Sequence, residues 1–164
     1  MPDLRRVVQL AAYAVSLGLV GFLILRGMVA LISRRPENLG IRDGELAPCP
    51  NSPNCVSTQS DHRWHAIDPI EYEGSVEEAR ERILRVVCSM DGSRLVTAGD
   101  DYVYAEFVVP GLRFIDDVEF TFDEDKGVIH FRSSSRVPYY DWNVNRNRME
   151  TIRAAFRDTA EGVQ

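Results

Sequence analysis

The pattern of apolar and polar positions divides the chain into two unlike parts. From Val7 to Leu25 nineteen residues carry no charge, and only Gln9, Ser16, Gly18 and Gly21 interrupt the apolar run. At about 1.5 Å per residue such a helix reaches roughly 28 Å, against a bilayer hydrocarbon core of about 30 Å. A second apolar piece, Gly27 to Ile32, follows Arg26, while Arg5 and Arg6 on one side and Arg34 and Arg35 on the other mark two interfaces. The pattern predicts one transmembrane helix, with Arg26 reaching to the headgroups where the helix tilts or runs on. A cleaved signal peptide has a shorter apolar core and a small-x-small cleavage site, and neither is evident.

Beyond residue 35 the period changes. Residues 36–48 hold Pro, Gly and Asp without apolar periodicity and read as a linker. Ser75-Val76-Glu77-Glu78 is a capping box, and Val76, Ala79, Ile83, Val86, Val87 and Met90 follow at helical spacing. A helix over about 76–89 is predicted, stopped near Asp91-Gly92. Tyr102–Val109 alternates as a strand, as do Val118, Phe120 and Phe122 with their polar neighbours, and Val128–Ser133 returns after the turn Glu124-Asp125-Lys126-Gly127. A four-residue loop sets Phe120 opposite Phe131, Phe122 opposite Ile129, Glu119 opposite Arg132 and Thr121 opposite His130; a slip of one residue scrambles both faces. A last helix runs from about Asn145 to Thr159, with Met149, Ile152 and Phe156 on one stripe. The expected fold is α+β: an antiparallel β-sheet with helices packed on one face and a polar face open to water, preceded by one N-terminal transmembrane helix. The expected organisation is an anchor with basic flanks over 1–35, a linker over 36–48 and a single domain over 49–160.

Charge follows the same division. Of 19 basic and 25 acidic residues, five Arg and one Asp lie in 1–35, leaving 14 basic and 24 acidic side chains, a net −10, for the rest. That balance disfavours nucleic acid as a partner. Arg5, Arg6 and the amino terminus face Arg26, Arg34 and Arg35, so the positive-inside rule alone leans only slightly toward a cytoplasmic domain.

The cysteines lean the other way. In Cys49-Pro50-Asn51-Ser52-Pro53-Asn54-Cys55 two prolines stiffen a loop with a thiol at each end. A disulfide is one outcome, worth about 2 kcal/mol by loop closure in an oxidising compartment. Three others stand beside it: a metal site recruiting His62 and His65, a redox pair without C-x-x-C geometry, or two free thiols. Cys88, beside Val86 and Val87, is expected as a buried thiol. Arg132, Ser133, Ser135 and Arg136, with Asn145 and Arg146 at a helix start, have the composition of an anion site. The competing outcome is structural: Arg132 pairs Glu119, Arg136 pairs Asp116 or Asp117, and Asp141 or Asn145 caps the last helix. Asp116, Asp117 and Glu119 form a possible acid/base or metal group, with Asp117 and Glu119 on one strand face and Asp116 opposite. Asp141 and Arg148 complete this polar set, and His130 is expected to be solvated. The chain has no G-x-S-x-G, phosphate loop or dinucleotide fingerprint, so no catalytic residue and no cofactor is assigned.

The run from Leu39 to Ser57, above all its CPNSPNCVS stretch, resembles the opening signature of the domain of unknown function 1499 family. Phe114 with Asp116-Asp117-Val118-Glu119-Phe120, and Arg132-Ser133-Ser134-Ser135-Arg136-Val137 leading to Asp141, Val144-Asn145-Arg146 and Arg148, resemble its later signatures, as do His65, Ile67 and Pro69. The resemblance covers about residues 39–157. Pro138 and Asn143 stand where the family usually has Gly; Asn143 tolerates left-handed backbone and Pro138 does not. The resemblance implies no established activity, and a domain held on the periplasmic or lumenal side of a membrane. The expected function is a non-enzymatic binding or assembly module for a partner protein or a small anionic ligand. The alternative is a redox or metal-dependent enzyme using Cys49, Cys55, His65 and the acidic group.

Overall fold

The computed structural model describes residues 3–110, 114–137 and 141–161. Helix α1 spans Leu4–Ile32, its N-terminus capped by Asp3 and its C-terminus closed by Ser33, whose N–H bonds to the Val29 carbonyl. The two apolar pieces of the sequence are therefore one helix that runs through Arg26. It is apolar and almost wholly exposed, and by length and composition it is able to cross a membrane. Within α1 only Val29 is buried.

The soluble part is built from β1 (Ile41–Arg42), β2 (Glu45–Leu46), β3 (Cys55–Ser57), β4 (Ile70–Glu71), α2 (Val76–Ser89), β5 (Ser93–Ala98), β6 (Tyr102–Val108), β7 (Ile115–Asp123), β8 (Val128–Ser135) and α3 (Val144–Glu161). Strands β3, β8, β7, β6 and β5 lie in that order, all antiparallel, and β4 adds to the far half of β8. The β7–β8 register is the expected one, with Phe120 opposite Phe131, Phe122 opposite Ile129, Glu119 opposite Arg132 and Thr121 opposite His130. Both halves of the capping box form at the start of α2. Helices α2 and α3 pack on one face of the sheet, where Ala79, Ile83, Val87, Met149, Ile152 and Phe156 meet Val103, Val118, Phe120, Ile129 and Phe131.

Four expectations change. The polar face is not open to water: Glu106, Asp117, Glu119 and Arg132 on it are all buried. Residues 33–47 lie across it, so the segment expected as a linker instead holds the β1–β2 pair and buries Leu46 and Ala47. Gly40, at φ 103°, turns its N–H onto Glu119 Oε1 at 2.8 Å, a backbone conformation that glycine adopts without strain. Cys88 is exposed, because the buried stripe of α2 runs through Ala79, Ile83, Val86 and Val87 and leaves position 88 on the solvent side. His130 is half-buried rather than solvated; its Nδ1 lies 3.1 Å from Thr58 Oγ1, and burial lowers its pKa against the opposing pull of Asp123. Asn143 is left-handed as expected, at φ 63°, and Trp142 before it shares that conformation at φ 49°. Pro138 lies outside the described residues.

Candidate functional site

Strand alternation sends successive residues of β7 and β8 to opposite faces, so the polar motif divides into two networks. On the face covered by residues 33–47, Arg136 is the hub. Its Nε lies 3.0 and 3.1 Å from the two Asp117 oxygens, and its Nη2 reaches Glu106 Oε1 at 2.6 Å and Tyr104 Oη at 3.0 Å. Its Nη1 donates to the Ser33 carbonyl at the end of α1, at 3.3 Å. Tyr104 donates to Asp117 Oδ1 at 2.6 Å, Arg94 bonds Glu106, and the Arg35 guanidinium lies 4.5 Å over the Tyr104 ring. One strand position along, Glu119 accepts from Arg132 at 3.0 Å, Tyr102 at 2.7 Å and the Gly40 N–H.

The electrostatics match this pairing. Burial opposes charge on Glu106, yet hydrogen bonds from Arg94 and Arg136 hold its pKa below the usual glutamate value. Burial and the neighbouring carboxylates, Glu119 for Tyr102 and Asp117 for Tyr104, push both phenols well above theirs, so each remains a donor. The Arg136 guanidinium is held charged by Asp117 and Glu106 against the cost of its own burial.

On the helix-covered face Asn145, fully buried in the first turn of α3, is the hub. Its Nδ2 donates to the Asn54 carbonyl at 3.1 Å, Ser135 Oγ at 2.8 Å and Asp141 Oδ2 at 2.8 Å. Its Oδ1 accepts from Ser133 at 2.6 Å and from Arg148 at 2.8 Å. Arg148 continues to Asp116 and lies 4.8 Å over the Phe107 ring. Asp141 caps α3 by accepting from the Asn145 N–H at 3.1 Å. Asn54, in the cysteine loop, clamps the end of β8 through the Ser135 N–H and carbonyl.

The expected site residues are thus not assembled into one open anion site. Arg132 and Arg136 lie on one face with Glu119 and Asp117; Ser133, Ser135 and Asn145 lie on the other with Asp116 and Arg148. Arg146 is half-buried and donates to the Trp64 and Ala66 carbonyls at 3.2 and 2.9 Å. Cys49 and Cys55 are bridged, with Cα atoms 5.7 Å apart, so neither sulfur is a free thiolate beside His62 and His65. Among the described residues no group of three or more His, Cys, Asp or Glu side chains has the geometry to hold a metal ion.

Two clefts were not foreseen from the sequence, because residues far apart along the chain build them. The first, of about 790 Å³, opens at the β7–β8 turn beside the β1–β2 pair and is lined by Asp43, Glu45, Asp61, Asp123, Glu124 and Asp125 among others. The second, of about 460 Å³, shares Glu45, Gln59 and Asp61 with it and extends past Leu46 to Cys49, His62 and His65. His65 is 7% exposed, and its Nδ1 lies 2.9 Å from the Cys55 carbonyl. A carbonyl only accepts, so Nδ1 carries a proton and donates to it, which fixes the ring against the cysteine loop. Six carboxylates in the first cleft were visible as residues; their convergence was not.

A family model described as "Protein of unknown function (DUF1499)" matches residues 45–156, from β2 through the whole sheet to Phe156 in α3. The comparison with curated proteins returns no match.

Proposed function

The chain belongs to the DUF1499 family, whose function is unknown, and from its geometry we propose a membrane-anchored, non-enzymatic binding and assembly module on the periplasmic or lumenal side. It presents the acidic groove to a cationic segment of a partner protein. One contrast carries this reading: Arg132 and Arg136 are already ion-paired with the buried Glu119, Asp117 and Glu106, whereas the surface groove gathers six carboxylates of which only Asp123 has a described ion-pair partner. A small anion would have to displace Asp117 or Glu106 from Arg136 in a buried site, at a desolvation cost that an exposed pair does not carry. A Lys or Arg side chain entering the groove meets exposed acids. The disulfide supports an oxidising compartment.

The placement of the groove supports the same reading. Ser33, where α1 ends, touches Arg136 just beyond the end of β8, and the β7–β8 turn lies at the opposite end of those strands. The nine residues of β7 span roughly 25 Å. The groove is therefore the part of the domain held away from the bilayer.

A photoreactive residue in place of Ser60, which lines the second cleft, tests this in native membranes. A discrete protein adduct is expected, weakened by salt and lost when Asp43, Asp61 and Asp125 are all changed to Asn. No adduct, or one indifferent to both salt and the three substitutions, rejects the groove as the binding surface. Orientation has its own readout. Cys88 is the free cysteine and is exposed, so a membrane-impermeant maleimide is expected to label it in intact right-side-out vesicles. Labelling only after lysis places the domain on the cytoplasmic side and removes the envelope assignment.

A further inference from the structure

The attachment of α1 to the domain has a consequence for how the domain meets the membrane. Residues 4–25 of the helix are exposed throughout, and the first buried position is Val29, followed by Ser33. Between Leu25 and Ser33 the backbone stays helical, a rise of about 12 Å. The Ser33 carbonyl is then held by Arg136, and Arg35 stacks on Tyr104. No flexible tether separates span from domain. The helix enters one end of the sheet directly, so a bilayer spanned by α1 would lie against that end.

Trp142 lies at this same end. Arg136 follows Ser135, Ser135 Oγ bonds Asn145, and Asn145 bonds Asp141, which precedes Trp142. Trp142 is 79% exposed, at φ 49°, a left-handed conformation that bulky side chains rarely adopt. Asp141 holds the turn by accepting from the Asn143 and Asn145 N–H groups. Strained backbone kept in place by surrounding bonds, with a large indole turned outward, is costly for a surface that only meets water. An indole with an apolar body and one N–H donor suits the headgroup level of a bilayer. The exposed Arg34 on the same side adds a cation for lipid phosphates.

We propose that the sheet end carrying Trp142 docks on the headgroup layer of the bilayer that α1 spans, so that the domain stands on the membrane with its acidic groove directed outward. This rests on the anchored reading above and adds a second, peripheral contact to it.

The chain has two tryptophans, so Trp64→Phe leaves Trp142 as the sole indole. The full-length W64F protein is reconstituted in vesicles of zwitterionic and anionic phospholipid carrying bromine at shallow or deep acyl positions. Resistance to alkaline extraction reports α1 independently. The expected result is a protein that resists extraction and whose emission is quenched at least about two-fold more by shallow than by deep bromine, as an indole at the interface requires. A protein that resists extraction, yet whose indole is quenched only by aqueous iodide, overturns the docking and leaves the anchor standing. A protein removed by alkali overturns both.

Discussion

Arg136→Met is expected to destabilise the domain by about 3–5 kcal/mol, the range found when one partner of a buried ion pair is removed. The magnitude comes from what remains. Asp117 and Glu106 are both buried, and without the guanidinium they face each other across the Tyr104 hydroxyl, with only Arg94 still bonded to Glu106. Arg136→Lys keeps the charge but not the fork that reaches Asp117, Glu106, Tyr104 and Ser33 together, so an intermediate loss is expected. Urea unfolding of the detergent-solubilised chain measures both. A loss below about 1 kcal/mol for R136M would mean that the network is exposed to water in solution.

The pH dependence gives this prediction a sign. In the native protein Glu106 has a folded pKa below its unfolded value. Its contribution is therefore fully present above the unfolded value of about 4.3 and is lost as pH falls through the folded value. In R136M the burial that opposes charge on Glu106 has lost one of the two guanidinium groups that offset it, so its folded pKa rises past the unfolded value and stability rises as pH falls. Opposite slopes for the two proteins are the expected observation. Parallel slopes would show that Arg136 does not set the charge state of this cluster.

Much of the fold was legible because it rests on periodicity. The β7–β8 register followed from the turn length and the Phe120, Phe122, Ile129 and Phe131 pattern, and the capping box placed the start of α2. Strands β1 to β4 were not legible, since segments of two or three residues have no period to read. Strand β5 was missed for a different reason. It is an edge strand, exposed along nearly its whole length, with a register shift between Leu95 and Thr97.

The candidate site shows a deeper limit. Alternating polar residues look the same whether they face water or a buried network. In sequence Asp117, Glu119, Arg132 and Arg136 suit ligands and ion pairs equally; what decides between these is residues 33–47 lying across them, a packing arrangement with no local signature. Composition held one usable clue, opposed charges in matched strand positions, as with Glu119 and Arg132. The groove needed the tertiary structure, because its acids come from the β1–β2 turn, the segment after β3 and the β7–β8 turn.

Asn145 is where the second large effect is expected. The residue joins the cysteine loop through Asn54, the end of β8 through Ser133 and Ser135, and the start of α3 through Asp141 and Arg148. Asn145→Ala removes that fully buried amide, leaving a cavity and shortened bonding for several buried groups, at a cost of roughly 2–4 kcal/mol. Asn145→Asp is nearly isosteric yet is expected to cost more at neutral pH. The Nδ2 position is surrounded by acceptors, the Asn54 carbonyl, Ser135 Oγ and Asp141 Oδ2, so a carboxylate oxygen there is repelled where an amide donates. Protonation restores a donor, so the N145D penalty shrinks as pH falls, while the N145A penalty lacks this relief. Because Asp141 also holds the turn bearing Trp142, both variants are expected to weaken the shallow-bromine quenching of that indole even below the unfolding midpoint. If stability falls and the quenching does not change, Asn145 serves the core alone. A coupled loss ties the motif residues inside the domain to the surface at which it meets the membrane.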